Sequence, residues 1–258
     1  MDLQVSGRRF LITGASSGLG LGVARSLLKE GAKIIAIGTN HEKLNNLKSI
    51  SPENVTAFAG DLFDLNTADN IMNIIGYQDL DGVFLNASGP PAMPFVETSL
   101  KNWDDAYNTI LKWKINLVQK LLPVFQRQNH GRILFAESIS VKQPIKDLVL
   151  SNSLRLAVVG MAKTLANEVA NQGITVNVIG TGYHNTGAMN RLYVRKMKAE
   201  NISMENAMGA FEKEIPGGKM GDEDSFGNLV AWLFSPLSFY ITGQTISIDG
   251  GVVKGVFG

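Results

Sequence analysis

Apolar and polar positions along the chain alternate between two rhythms. Short β-rich stretches at 10–13, 33–37, 55–59, 82–85, 132–136, 175–179 and 245–248 predict strands. Several are continuous apolar runs, such as Phe10-Leu11-Ile12 and Ile34-Ile35-Ala36-Ile37. That is the pattern of a parallel strand covered on both faces. Helical patterns at 19–30, 103–126 and 154–172 lie between them. Such alternation implies right-handed crossovers, so the expected fold class is α/β. The expected architecture is a doubly wound parallel sheet of about seven strands with helices on both faces. No linker, low-complexity tract or internal repeat interrupts the alternation, and 1–258 reads as a single domain.

One helix is apolar nearly all round. Leu154, Leu156, Ala157, Val158, Val159, Met161, Ala162, Leu165, Ala166 and Val169 leave little of its surface polar. A helix of that kind needs cover beyond its own sheet. A second copy of the chain is the expected cover, as a dimer or tetramer; burial within one subunit is the alternative.

Composition narrows the function classes. Hydrophobic residues make up 45% and charged residues 18%, a balance that excludes disorder. Lysine plus arginine total 24 against 23 acidic residues, a formal charge of +1. Without a basic field, neither nucleic acid nor an anionic membrane is an expected partner. There is no cysteine, which excludes disulfides, thiolate nucleophiles and cysteine-ligated metals, and no metal site is expected. The apolar runs fall short of the roughly 20 residues of a membrane-spanning helix, and the polar first residues hold no signal peptide. A cytoplasmic protein acting on a small-molecule substrate is the expectation.

Glycine is unusually frequent at 27 residues, and its placement is informative. The first strand runs into Thr13-Gly14-Ala15-Ser16-Ser17-Gly18-Leu19-Gly20, which opens a helix. Glycines there let the backbone approach a pyrophosphate, while the helix offers free N–H groups and its positive dipole end. A tight turn that binds nothing is the alternative.

With that loop in place the chain resembles the short-chain dehydrogenase/reductase family, over essentially its whole length. Thr13 to Gly20 is similar to that family's TGxxxGxG cofactor loop. Asp61-Leu62 resembles its adenine-contacting Asp, and Leu85-Asn86-Ala87-Ser88 its NNAG segment. Asn177 to Gly182 resembles N-x-x-x-P-G with Thr181 in place of proline, and Thr186 falls where the family contacts the nicotinamide carboxamide. Tyr240 to Gln244 and Asp249-Gly250-Gly251 resemble its closing strand and turn. The resemblance implies a Rossmann-type dinucleotide-binding domain. It also implies cofactor contacts at Gly14, Ser16, Ser17, Gly18, Leu19, Gly20, Thr39, Asp61, Leu62, Asn86, Ala87, Gly182 and Thr186.

The choice of cofactor turns on the end of the second strand. A carboxylate there would bond a ribose 2′-OH and repel a 2′-phosphate. Gly38, Thr39 and Asn40 occupy the place, so NADP is favoured over NAD, with Lys43 or Arg8 as sources of charge.

The family's chemistry, by contrast, rests on an Asn-Ser-Tyr-Lys set that this chain largely lacks. Ser138 fits the serine. Ser151 and Arg155 stand where the tyrosine and lysine belong, and Ile110 stands for the asparagine. A phenol can be tuned toward neutrality by a nearby cation, whereas a serine hydroxyl ionises far higher and arginine stays charged. Two readings are then open. In one, Tyr183 or His184, at the cofactor mouth, or water supplies the proton. In the other, Ser138, Ser151 and Arg155, with Lys142, form an anion pocket; Ser151 and Arg155 share a helix face at a spacing of four.

Residues 185–221 are expected to form a substrate lid rich in methionine: Met189, Met197, Met204, Met208 and Met220. Met204, Ala207, Met208 and Phe211 make one helical stripe behind Ser203 as N-cap. Arg191, Arg195, Lys196 and Lys198 read as a solvated face, with contact to an acidic substrate as the alternative. The expected function is NAD(P)-dependent hydride transfer between a nicotinamide cofactor and a carbonyl or alcohol, with a non-standard active site. A catalytically degenerate nucleotide-binding homologue, acting as redox sensor or scaffold, is the alternative.

Overall fold

The computed structural model describes residues 1–256, so the last two positions of the expected domain lie outside the described residues. Seven strands form one sheet: β1 (Arg9–Thr13), β2 (Lys33–Gly38), β3 (Val55–Ala59), β4 (Gly82–Leu85), β5 (Gly131–Ser138), β6 (Ile174–Thr181) and β7 (Thr245–Ile248). Every pairing is parallel, in the order β3-β2-β1-β4-β5-β6-β7. The α/β doubly wound sheet expected from the alternation is therefore present. Its helices are α1 (Gly18–Lys29), α2 (His41–Ile50), α3 (Asn66–Ile75), α4 (Leu100–Tyr107), α5 (Trp113–Gln128), α6 (Val149–Val169), α7 (Asn190–Glu200), α8 (Met204–Lys213) and α9 (Glu223–Phe234).

Strand side chains alternate between two cores, because successive residues of a strand face opposite ways. Phe10 and Ile12 of β1 join the core under α1, α2 and α9, with Val23, Leu27, Leu44, Phe226 and Phe234. Leu11 between them joins the opposite core under α3, α5 and α6, with Ile71, Leu117, Leu121, Phe125 and Val158. The continuous apolar runs of the sequence are thus two interleaved faces, both buried.

The predicted helix at 103–126 differs in one respect. A π-helical turn, Asn108–Lys112, joins α4 to α5, so the helix accommodates one extra residue there. The Trp113 indole donates to the Thr109 carbonyl at 3.0 Å and satisfies an acceptor that the wide turn sets free. Strands β5 and β6 also run further than the periodicity suggests, which carries Glu137, Ser138 and Thr181 to the C-terminal edge. Helix α6 begins at Val149 and is covered in part by its own chain. Val158, Ala162, Ala166 and Val169 are buried, α4 and the π turn pack on it, and Leu156 remains 53% exposed.

The order in which strands are added reverses between β1 and β4, and the crevice at that switch point is where an open α/β sheet binds ligands. Thr13 spans it: its Oγ1 donates to the Asn86 carbonyl at 2.8 Å and accepts from the Asn86 amide at 2.7 Å. Behind the crevice α1 meets α9 through glycines. A Cβ on Gly227 would overlap the Gly22 carbonyl and lie 2.5 Å from Ser26 Oγ. Gly227→Ala should therefore cost about 1–3 kcal/mol, the usual penalty of overpacking a close contact. Urea unfolding that left the midpoint of this variant unchanged would contradict the account.

Candidate functional site

The crevice opens into a groove along the C-terminal edge of the sheet. Its first half is lined by Gly14, Ser16, Ser17, Gly18, Leu19, Gly38, Thr39, Lys43, Asp61, Leu62, Asn86, Ala87 and Thr186. These include most of the residues expected to contact a dinucleotide. Gly14 has φ +65°, and a Cβ on Gly14 would fall 2.7 Å from Asn86 Nδ2. Gly20 sits directly beneath the Gly14 carbonyl, so the loop folds onto the start of α1 without side chains between. Ser17, the N-cap of α1, makes no side-chain cap bond, and the first turn holds no acidic residue. The free N–H groups and positive dipole end of α1 therefore face the cradle, which fits the pyrophosphate of a dinucleotide.

At the far end of this half Gly38 closes against Ser16; a Cβ on Gly38 would lie 2.9 Å from Ser16 Oγ. A larger residue there would push the loop away, so Gly38 does more than make a turn. Asn40 caps α2 by accepting from the Lys43 amide at 2.9 Å, and Lys43 lines the groove. Arg8 does not contribute charge here. It is paired with Asp81 at 2.9 Å, at the opposite end of β1.

The second half of the groove is lined by Asn86, Ala87, Ser88, Gly89, Glu137, Ser138, Ser151, Arg155, Gly182, His184, Thr186, Met189 and Arg191, among others. Gly182 is small because Asp249 lies against it; a Cβ would come within 2.5 Å of Asp249 Cα. Ser138 Oγ accepts the Ser140 amide at 3.1 Å and keeps its proton free to donate. Ser151 and Arg155 meet as their spacing predicts, with Arg155 Nε donating to Ser151 Oγ at 2.9 Å.

The centre of this half is a group that sequence reasoning missed. Glu137 is 1% exposed and accepts from two cations, Lys114 of α5 through Oε1 and Arg155 Nη1 through Oε2 at 2.7 Å. Burial pulls the Lys114 ammonium below its ordinary pKa and the neighbouring Arg155 adds to that, while Glu137 opposes it. A signal was available in each segment: Lys114 interrupts a buried apolar helix face, and Glu137 interrupts a buried strand. The sequence holds no sign that they pair.

Arg191 is a correction. Its expected solvated position is instead inside the groove, where Nη1 donates to the Pro90 carbonyl and Nε is buried with no partner among the described residues. Burial lowers its pKa, and Arg155 adds to that. Arg195 is likewise engaged, with the Ala92 carbonyl at 2.8 Å and Asp147 at 3.4 Å. Lys142 does not line the groove.

The expected proton sources fare differently. Tyr183 donates to Glu214 at 3.0 Å, and burial followed by that carboxylate raises its phenol far above the ordinary value. His184 is 4% exposed, with Nδ1 3.1 Å from the Gly182 carbonyl and its ring edge-on to Phe226. Burial lowers its pKa, so the ring is neutral near pH 7. With a carbonyl facing Nδ1, the proton sits on that nitrogen and Nε2 has none to give. In the lid segment, Ser203 caps α8 as expected by accepting from Asn206 at 3.2 Å. Of the five methionines only Met189 lines the groove; Met197 and Met220 pack on the segment's own core with Tyr193 and Ala207.

Residues 14–253 match the family described as enoyl-(acyl carrier protein) reductase. The 3-oxoacyl-(acyl-carrier-protein) reductase of Rickettsia bellii is 30% identical, over 97% of this chain and 99% of its own. The Escherichia coli enzyme of the same name is 25% identical over the same shares. Among solved structures, an L-sorbose reductase from Gluconobacter frateurii, complexed with NADPH and L-sorbose, superposes with a TM-score of 0.91. It is 25% identical, covering 99% of this chain and all of that one.

The shared carboxylate generates a stability prediction. Glu137→Gln leaves Lys114 and Arg155 buried without a counter-charge and should cost about 3–5 kcal/mol. Lys114→Met keeps the Glu137–Arg155 pair and should cost markedly less. Urea unfolding of the two variants checks the order, and an equal loss would refute the shared-carboxylate account.

Proposed function

The chain belongs to the short-chain dehydrogenase/reductase family, and from that premise we propose that it is an NADPH-dependent reductase of a carbonyl substrate working through a non-standard active site. The observation that carries this reading is the continuity of the groove. Leu19, Asn86, Ala87, Ser88 and Thr186 line both halves, so the phosphate cradle runs without a break into the Ser138–Ser151–Arg155 pocket. Gly14, Ser16, Ser17, Gly18, Leu19 and Gly20 would hold the pyrophosphate, Asp61 and Leu62 the adenine end, and Asn86, Ala87, Gly182 and Thr186 the nicotinamide end. Thr39, Lys43 and the N-terminal end of α2 would receive a 2′-phosphate, with no carboxylate at Gly38 to repel it. A reduced nicotinamide bound there supplies hydride to the substrate carbonyl carbon.

The chain's own task is to handle the charge that then develops on oxygen. Ser138 donates a hydrogen bond to that oxygen. Ser151 supplies the proton: donor and nascent alkoxide are both aliphatic alcohols, so the transfer is close to balanced. Arg155 Nε favours it by stabilising the serine oxygen left behind, as a fixed donor does at a developing oxyanion. Water in the groove then relays a proton from bulk solvent to the Ser151 oxygen and restores the hydroxyl. Tyr183 and His184 are assigned no proton, since one phenol is held protonated by Glu214 and the imidazole lacks a proton on Nε2.

Calorimetric titration should show NADPH binding to the wild-type chain, and Lys43→Ala should weaken NADPH about tenfold while leaving NADH little changed. Equal losses for both cofactors would remove Lys43 from the 2′-phosphate site. With a carbonyl substrate found by following NADPH absorbance, Ser151→Ala should lower kcat by about a hundredfold or more. Full activity in that variant would remove Ser151 as the acid; tight NADPH binding with no turnover on any carbonyl would favour the sensor alternative.

A further inference from the structure

The substrate pocket holds more positive charge than its own carboxylate can balance. Lys114 and Arg155 take both oxygens of Glu137, and Arg191 lines the same pocket beside Arg155. The charge that presses on Arg191 is the positive one of Arg155. Even with Lys114 neutral, the group retains one cation in excess. A buried cation without a partner is costly, and such an imbalance is stable where a ligand completes it.

The donors left over show what would complete it. Arg155 spends Nε on Ser151 and Nη1 on Glu137, while Arg191 spends Nη1 on the Pro90 carbonyl. Arg155 Nη2 and Arg191 Nη2 have no hydrogen-bond partner among the described residues, and neither is sealed from the groove. The two guanidinium groups also converge. Arg155 Nη2 lies 2.9 Å, and the Arg191 Nη1 and Nη2 nitrogens 2.7 and 2.8 Å, from the point where a Cβ on Gly89 would sit. Two free N–H donors, one from each arginine and converging over a glycine, match the two oxygens of one carboxylate.

We infer that the substrate is an oxo acid whose carboxylate is held between Arg155 and Arg191, with Ser138 and Ser151 of the same pocket at its carbonyl. The identity of the carbonyl as the reacting group rests on the reductase reading above; the carboxylate site itself does not. The two converging donors match the planar pair of oxygens of a carboxylate, and inorganic phosphate is the competing anion. Gly89 is part of the device, since any side chain there would displace both guanidinium groups.

The test separates the carboxylate site from the reductase reading. Oxamate, a 2-oxo acid analogue that resists reduction, is titrated calorimetrically into the chain with and without saturating NADPH. Oxamide, its neutral counterpart, and inorganic phosphate are titrated alongside. Wild type should bind oxamate saturably and oxamide at least tenfold more weakly. Arg191→Met should weaken oxamate at least tenfold while its NADPH affinity and thermal midpoint stay near wild type. Gly89→Ala, which keeps every charge, should weaken oxamate as well, so the outcome does not hang on one variant's folding. The inference is overturned by no saturable oxamate binding under either condition, by equal binding of oxamide, by phosphate binding more tightly than oxamate, or by unchanged affinity in both variants. Oxamate binding in a chain that fails to bind NADPH would sink the reductase reading and leave the carboxylate site standing.

Discussion

A buried carboxylate has to be neutralised where it lies, and Glu137 is neutralised from two sides. It sits one residue from the end of β5, past the last β4 pairing at Phe135 and opposite Gly180 of β6, so no neighbouring strand brings it a charge. The cations must come from helices. Arg155 arrives from the second turn of α6 and Lys114 from the first turn of α5. The π turn bears on the second delivery. One extra residue in a helix rotates the later turns by about 100° relative to the earlier ones. Ile110 and Trp113 can then both fill the core while Lys114 faces the strand. Thr181, standing where the family has proline, donates to the Glu137 carbonyl at 2.8 Å and ties β6 to the same point.

How much of this is readable from residue order depends on the range of each interaction. The cofactor cradle is legible because its parts are consecutive: a strand, a glycine turn and a helix start within Thr13 to Gly20 leave little freedom. The sheet is legible because a doubly buried strand must be apolar on both faces, and the runs at β1, β2 and β4 are. Ser151 and Arg155 are legible as a pair, since four residues on a helix is a contact distance. Lys114 and Glu137 are 23 residues apart on different elements, and each alone reads only as an oddity in an apolar setting. Arg191 misleads for a related reason. Four basic residues in eight on one helix look like a solvated face. Nothing local reveals that the first of them turns back toward Pro90, about a hundred positions earlier in the chain.

That turn changes the meaning of the segment at 185–221. As a methionine-rich lid it would close an apolar surface over an apolar ligand. Its apolar residues mostly go elsewhere: Tyr193, Ala207 and Ile215 form a separate small core with Ile139, Tyr183 and Val252. Phe211 stacks edge-on to Tyr183 at 5.1 Å within it. That core shares Ile139, Tyr183 and Met189 with the wall of the groove, so it supports the site from behind. To the groove the segment offers charge and hydrogen-bond donors through Arg191 and Thr186, beside the apolar side chains of Ala188, Met189 and Leu192.

The proposed chemistry differs in kind from a tyrosine tuned by a lysine, and the difference stems from the groups present. A phenol beside an ammonium is a pair of titrating groups, each able to shift within the accessible pH range, so such a site works by matching a pKa to its surroundings. Ser151 beside Arg155 is instead an aliphatic alcohol beside a rigid, planar, delocalised cation. Such a site works by a fixed field: the guanidinium is aimed by its bond to Glu137 and needs no reorganisation as charge grows on the substrate oxygen. Glu137 is what makes this possible. Without a carboxylate anchoring Nη1, Arg155 would be free to swing toward solvent, and Ser151 would lose its Nε donor. The same anchor leaves Nη2 pointing over Gly89, so one buried ion pair orients both the donor that serves the carbonyl end and the donor that serves the acid end. A guanidinium can divide itself in this way because its donors are held in one rigid plane, which a lysine ammonium at the same position could not reproduce.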